Sequence, residues 1–355
     1  MNSELPTAIS RVMNDGADWR RAVRAFAALA PGQALQPWVY EPGPLRCDEI
    51  EVAVTHCGVC HTDVHLIDND LGVSTYPLVP GHEVIGTITA VGDAAGGFAV
   101  GERVGVGWQR GACNQCEWCR QGLENLCAGH QPTALAGYGG FAQSLRVNHR
   151  FAILVPDGLD SAIAAPLLCG GISVYAPLAR LVRPGSRVRI IGIGGLGHLA
   201  LQFARAMGAE VFAFSTSPDK QEEAHGFGAH RFVISADPGH MGRVAASLDV
   251  LLSTATVSLD WSAWLRTLRP NGTFCLVGVP PEPVSLPVWP MMIMGQLSVC
   301  GSVIGAPQQI TEMLRFAALH NVRTAVEVLP MEQVNLALEK VRRNQARYRM
   351  VLAAE

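Results

Sequence analysis

The sequence predicts an α/β chain in which a doubly wound parallel-sheet domain is inserted into a β-rich domain. Three observations carry that reading. From Glu49 to Arg150, short β-branched runs alternate with Gly and Pro, the texture of strands joined by irregular loops. From Gly170 onward, strand-like and helix-like segments alternate, which implies right-handed βαβ units around a parallel sheet. A glycine cluster stands between the first buried strand of that region and the helix after it. The expected boundaries are 1–169 for the first part of the β-rich domain, 170–305 for the inserted domain and 306–355 for the return to the β-rich domain.

Residues 1–21 read as a polar extension, either a tail or an over-long start ahead of Met13, without the apolar stretch of a secretory signal. Val23–Leu29 is the first strand-like run, followed by EIEVAVTHCGVC, EVIGTITAVG, ERVGVGW and FAQSLRV. Residues 170–182 read as a helix and Arg187–Ile193 as a short buried strand. Leu196–Met207 carries apolar residues at helical spacing and is closed by Gly208 at its C′ position. Strand-like segments at 211–215, 231–234, 249–255 and 273–279 alternate with helical ones at 219–227 and 259–268. The apolar run Val299–Ile304 reads either as an edge strand pairing across a two-fold axis or as an internal one, and a helix follows at Gln308–His320.

Composition narrows the function classes. Of 355 residues, 49% are apolar and 16% charged, too hydrophobic and too weakly charged for disorder. A formal net charge of −3 removes the basic surface that nucleic acid or an anionic membrane requires. No run approaches the length of a spanning helix. Ten cysteines are present, but four crowd between Cys113 and Cys127 while most others sit singly. That distribution fits metal-binding thiolates in a reducing cytoplasm better than a disulfide framework. The expected partner is a small-molecule substrate, with neither nucleic acid nor membrane.

The glycine cluster is specific in its context. Gly192, Gly194 and Gly197, with Gly195 and Leu196 between the last two, form G-x-G-x-x-G between a strand and a helix. The first glycine permits the tight turn, the second lets backbone approach a pyrophosphate, and the third allows close helix–strand packing. Free N–H groups at the helix start then face the phosphates. An NAD site commonly ends the next strand with a carboxylate that holds the ribose 2′-OH. Here that strand ends in Ser215-Thr216-Ser217, with Lys220 beyond. Hydroxyls and an ammonium suit a 2′-phosphate, so the expected cofactor is NADP(H), with NAD(H) the second choice.

Cys113, Cys116, Cys119 and Cys127 read C-x2-C-x2-C-x7-C inside a lobe at 111–127. Four thiolates at this reach can close a tetrahedral shell around zinc, leaving no position for substrate, so this zinc is structural. A bacterial ferredoxin run would need three residues before the fourth cysteine and a proline after it; neither is present.

A family resemblance organises the remaining motifs. CGVCHTDVH, GHEVIG, the four-cysteine lobe, PLLCGG and GIGGLGHLALQFARAMGAE occur in the same order as in zinc-dependent medium-chain alcohol dehydrogenases. The chain resembles their NADP-dependent cinnamyl-alcohol-dehydrogenase and broad-range aldehyde-reductase branch from about Val23 to Leu352. The resemblance implies a Rossmann domain inserted into a GroES-like catalytic domain, two zinc ions per chain, and a homodimer or homotetramer. It implies that Cys60, His82 and Cys169 ligate a catalytic zinc, with Glu83 behind the metal and able to exchange onto it. It implies that Asp63 fixes the His82 tautomer, Thr62 bonds the substrate hydroxyl and His65 passes the proton to solvent. His61 and Arg349 match positions that contact cofactor phosphates, and Trp108 matches a wall of the substrate pocket. Cys57 shares the first motif but precedes the ligating cysteine; Cys47, Cys275 and Cys300 read as core or surface thiols. Asn114 stands where this branch often has glycine.

These parts fit a dehydrogenase of primary alcohols and aldehydes. Hydride leaves an alkoxide far more readily than a neutral alcohol, and zinc lowers the pKa of a bound oxygen acid. In the reverse direction zinc polarises an aldehyde carbonyl, and NADP usage leans toward that reduction. Two other readings stand beside it. Polyol or threonine dehydrogenases share the architecture but commonly carry a carboxylate at the Cys169 position or lack the full lobe. A non-catalytic, zinc-stapled NADP-binding redox sensor could dispense with Thr62 and His65, both present here.

Overall fold

A computed structural model describes residues 22–354, apart from 236, 238, 240, 241 and 243. The extension at 1–21 lies outside the described residues. The chain divides into two compact units: the described residues up to Cys169 with Ala306–Leu314 and Thr324 onward, and Gly170–Gly305 with Arg315–Arg323.

In the first unit, β1 (Val23–Ala27) and β2 (Gln36–Tyr40) form an antiparallel hairpin. The main sheet contains β3 (Glu49–Val59), β4 (Val84–Val91), β5 (Arg103–Val106), β8 (Ser144–Asn148) and β9 (Ala152–Leu154). Two strands from the end of the chain, β16 (Val326–Pro330) and β17 (Arg349–Ala353), complete it. Their order is β16-β17-β3-β4-β5-β9, with β8 also paired to β3. A small ribbon joins β6 (Gln109–Gly111) to β7 (Gln131–Pro132). The period-2 pattern of β3 buries Ile50, Val52 and Val54 among Phe141, Val147, Val334 and Leu338. A register shift between Val54 and His56 then re-phases the strand, so that Cys57 and Val59 point inward. Burial is therefore continuous where the strand delivers Cys60.

The second unit is built on a parallel sheet of β10 (Arg187–Ile191), β11 (Glu210–Ser215), β12 (Arg231–Ile234), β13 (Leu248–Ser253), β14 (Leu268–Leu276) and β15 (Ser298–Gly301). The order β12-β11-β10-β13-β14-β15 reverses direction between β10 and β13, the switch point where open α/β sheets bind ligands. Its core packs Phe212, Phe214, Trp261, Trp264 and Phe274.

Several boundaries differ from the sequence reading. The helix expected at 259–268 spans Trp261–Leu265, because the Asp260 carboxylate accepts from the Ala263 N–H and starts it there; Leu268 already belongs to β14. The strand expected to end at 279 stops at Leu276, where the Val277 and Gly278 N–H groups turn to the Ser253 carbonyl. Of Val299–Ile304, only the part within Ser298–Gly301 is strand, and it lies at the sheet edge. Arg315–Arg323, expected in the β-rich domain, packs with the parallel-sheet unit. Phe316 meets Tyr175 and Phe203 there, and the Arg323 N–H donates to Gln202. Among the described residues no single helix is long and apolar enough to cross a membrane.

Candidate active site

The register of β3 against β4 assembles the first cluster. Cys57 stands opposite Val84, and the Gly58 N–H donates to the Glu83 carbonyl at 2.9 Å. Cys60, just after β3, precedes the helix His61–Asp68, and His82 and Glu83 sit just before β4. Cys169 follows the helical turn Ala165–Leu168, whose Leu168 packs where Gly105 and Gly107 leave room. One ligand atom from each of Cys60, His82, Glu83 and Cys169 lies within 4.8 Å of the others. His82 Nε2 is 3.4 Å from Cys169 Sγ. A tetrahedral zinc with bonds of about 2.05 Å to nitrogen and 2.3 Å to sulfur separates those atoms by roughly 3.5 Å. The donor set therefore fits zinc. Cys57 stays outside it.

Asp63 ties the two segments together. Fully buried, it accepts from the Cys60 N–H (2.9 Å), the Gly81 N–H (2.9 Å) and His82 Nδ1 (3.0 Å). With its proton on Nδ1, His82 turns the Nε2 lone pair toward the cysteines, the arrangement that fixes a ligating imidazole. Trp108 meets the same ring edge-on at 5.2 Å. Glu83 and Arg349 form a buried ion pair. The pairing of β17 with β3 beside Val59 brings the Arg349 guanidinium to Glu83. The second Glu83 carboxylate oxygen, Oε2, is buried against Gly58 without a hydrogen-bond partner.

Electrostatics in the cluster follow from burial. The Cys60 thiol is held well below its ordinary value by the hydrogen bond with Cys169, and Cys169 is pushed well above by the same bond. A metal ion held by such a pair takes the place of the thiol protons. Burial opposes charge on His82, but the Asp63 carboxylate carries it well above its usual value. Burial also raises Glu83 to about 7 against the pull of Arg349.

The helix after Cys60 presents the remaining polar groups. Thr62 Oγ1 lies 3.6 Å from Cys60 Sγ. His65 Nδ1 is 2.8 Å from Asp70 Oδ2. Asp70 was missed from sequence; its backbone N–H caps the helix on the His65 carbonyl, so its proximity to the imidazole is a product of the C-terminal turn. His61 is exposed, its ring centroid 6.3 Å from that of His65.

In the lobe, Sγ atoms of Cys113 and Cys119, Cys116 and Cys119, and Cys127 and Cys113 are 3.9, 3.6 and 3.5 Å apart. The edge of a tetrahedron with about 2.3 Å Zn–S bonds is roughly 3.8 Å, so this set also fits zinc. Backbone N–H groups of Gln115 and Cys116 directed at Cys113 pull its thiol down to about 6. Asn114 has φ +58°, a left-handed position where asparagine substitutes for glycine at small cost.

The glycine turn in the second unit is tight and packs closely against its helix. Gly192 has φ +87°. A Cβ on Gly194 would meet nothing within 4 Å, whereas one on Gly197 would lie 1.8 Å from the Gly192 carbonyl oxygen. The helix Gly197–Ala206 starts behind Leu196 with no side-chain cap, and the His198 and Leu199 N–H groups donate to the Gly194 and Leu196 carbonyls. Thr254, not singled out from sequence, donates to the Ile191 and Gly192 carbonyls and braces the turn. Ser215 ends β11 with its Oγ accepting from the Ser217 N–H, Thr216 is exposed, and Lys220 Nζ donates to the Ile193 carbonyl at 2.8 Å.

Known proteins agree with this architecture. The family model described as "Alcohol dehydrogenase GroES-like domain" matches residues 46–157, and that described as "Zinc-binding dehydrogenase" matches 195–318. An aldehyde reductase from Synechocystis is 43% identical over 332 residues, 93% of this chain and 98% of that protein. A cinnamyl alcohol dehydrogenase structure from Sorghum bicolor superposes with TM-score 0.89 at 37% identity, covering 94% of this chain and 97% of that one. A related structure from Helicobacter pylori, complexed with NADP(H), gives 0.85 at 29% identity, covering 94% and 98%. The chain belongs to the zinc-binding, medium-chain alcohol dehydrogenase family. Within that family it stands in the cinnamyl-alcohol-dehydrogenase-like branch, as an alcohol dehydrogenase or aldehyde reductase.

Proposed function

We propose that this enzyme transfers hydride between NADP(H) and primary alcohols or aldehydes, with Cys60, His82 and Cys169 holding the catalytic zinc. The observation that carries the reading is the convergence of those residues with Glu83 within 4.8 Å. Zinc bound there supplies Lewis acidity toward the alcohol or carbonyl oxygen, and NADP(H) supplies or accepts the hydride. Thr62 Oγ1 accepts the proton of the substrate hydroxyl and hands on its own. His65 carries the released proton on to solvent through Nε2, because the Asp70 contact assigns the ring proton to Nδ1. Glu83, steadied by Arg349, stands by as an exchangeable ligand, and Trp108 walls the substrate. Cys113, Cys116, Cys119 and Cys127 hold the structural zinc.

The cofactor choice rests on Ser215, Thr216 and Lys220, with no carboxylate ending β11, and on the NADP(H) complex of the Helicobacter pylori relative. His61, Gly192, Gly194, Gly195, Leu196, Gly197 and Arg349 complete the dinucleotide contacts. The free thiols of all ten cysteines suit a reducing cytoplasm. The edge position of β15 and the exposed Val288, Trp289, Ile293 and Met294 suit a homodimer or homotetramer. The test is a panel of aromatic and aliphatic aldehydes assayed with NADPH and with NADH. A 2′-phosphate ion pair worth about 1.4 kcal/mol corresponds to a tenfold preference in kcat/KM for NADPH. Equal efficiency with both cofactors contradicts the cofactor assignment, and inactivity toward every aldehyde contradicts the substrate class.

A further inference from the structure

Cys275 and Cys300 lie outside both metal clusters. Strand β14 pairs with β15 in parallel register, and Cys275 stands directly opposite Cys300. Register partners point to the same face of a sheet, with neighbouring strands about 4.8 Å apart. A disulfide spans Cα separations of roughly 4.4–6.8 Å, so the backbone already holds the two residues within bonding range. Both are free thiols.

Their surroundings differ. Cys275 is fully buried; burial, with the Cys300 sulfur beside it, pushes its thiol up to about 12. Cys300 is half-buried on the edge strand, and Arg180 Nη2 donates to its sulfur at 3.7 Å. One sulfur is the less buried of the two and faces a guanidinium. The other waits behind it.

We propose that Cys275 and Cys300 form a reversible disulfide in exchange with low-molecular-weight disulfides. Cys300, its proton lost to solvent, attacks one sulfur of the oxidant; the oxidant's S–S bond breaks and its first thiol leaves. Cys275 then releases its proton and attacks the Cys300 sulfur of the mixed disulfide, expelling the second thiol. The two cysteines lose two electrons, the small disulfide becomes two thiols, and excess thiol reverses the sequence. The new bond ties the edge strand to its neighbour. It also closes the base of the segment 276–299, which carries the exposed Val279, Val288, Trp289, Ile293 and Met294. Such a closure limits fraying of that edge.

The experiment exposes the zinc-loaded full-length enzyme to glutathione disulfide, then maps its peptides and measures zinc. The expected result is a Cys275–Cys300 linked peptide that dithiothreitol reverses, with zinc content unchanged and the oxidised form melting higher. The Cys275→Ser variant should instead retain glutathione on Cys300, and Cys300→Ser should leave Cys275 unmodified. Absence of the linked peptide overturns the proposal. So does linkage that appears only after zinc is lost, or glutathione on Cys275 in the Cys300→Ser variant.

Discussion

The two sulfur-rich clusters make opposite use of the chain. Cys113, Cys116, Cys119 and Cys127 are neighbours in sequence, and their lobe brings its own ligands together with local turns. Cys60, His82 and Cys169 come from the end of β3, the approach to β4 and a helical turn far downstream. The first cluster organises a loop that has little core of its own. The second is organised by a core already present, with Asp63 and the Glu83–Arg349 pair bracing it. A metal removed from the first should cost structure; a metal removed from the second should cost chemistry.

The largest effect that sharpens this contrast is expected from Cys60→Ala. Several kcal/mol of Lewis-acid stabilisation disappear, so kcat/KM for aldehyde reduction should fall by roughly 10³-fold or more, with the melting temperature little changed. Near-normal turnover would break the comparison. Cys127→Ala should do the reverse, lowering Tm on the order of 10 °C by opening the lobe; an unchanged scanning-calorimetry midpoint would deny the lobe its stabilising role. Asp63→Asn should weaken zinc at the first cluster by roughly 10–100-fold through a misoriented His82, measured by chelator competition.

The smallest effect lies away from both metals. Lys340 Nζ bonds Glu327 Oε2 at 2.5 Å and holds that carboxyl below its ordinary 4.5. A carboxyl whose folded pKa is depressed contributes stability above its unfolded value, and the contribution is lost as pH falls through the folded one. The pair is part-exposed, so Glu327→Gln should cost about 1 kcal/mol or less at pH 7. In denaturant titrations the difference should shrink as pH falls from 4.5 through the lowered folded value; a difference that does not shrink on acidification would contradict the assignment.

What was legible in the sequence follows the same division. The four-cysteine lobe and the glycine turn are local patterns whose chemistry depends on spacing, and both could be read directly. Cys60, His82 and Cys169 share no spacing rule and became a set only through family resemblance. Asp70 escaped notice because its place beside His65 depends on how one helix ends. The contact of Arg349 with Glu83 depends on a strand register that no motif shows. Thr254 braces the glycine turn from a strand paired with β10 only in the folded sheet. The helix at Trp261–Leu265 was overextended because apolar spacing does not show where a backbone leaves for the next strand.

The most direct measurement is zinc per chain in the wild-type enzyme and in Cys60→Ala, taken on samples that retain their fold. Two ions falling to one, with the remaining ion still protecting the lobe thiols from alkylation, is the expected result. Two ions retained in Cys60→Ala, or a loss that exposes Cys113 and Cys116 instead, would contradict the account.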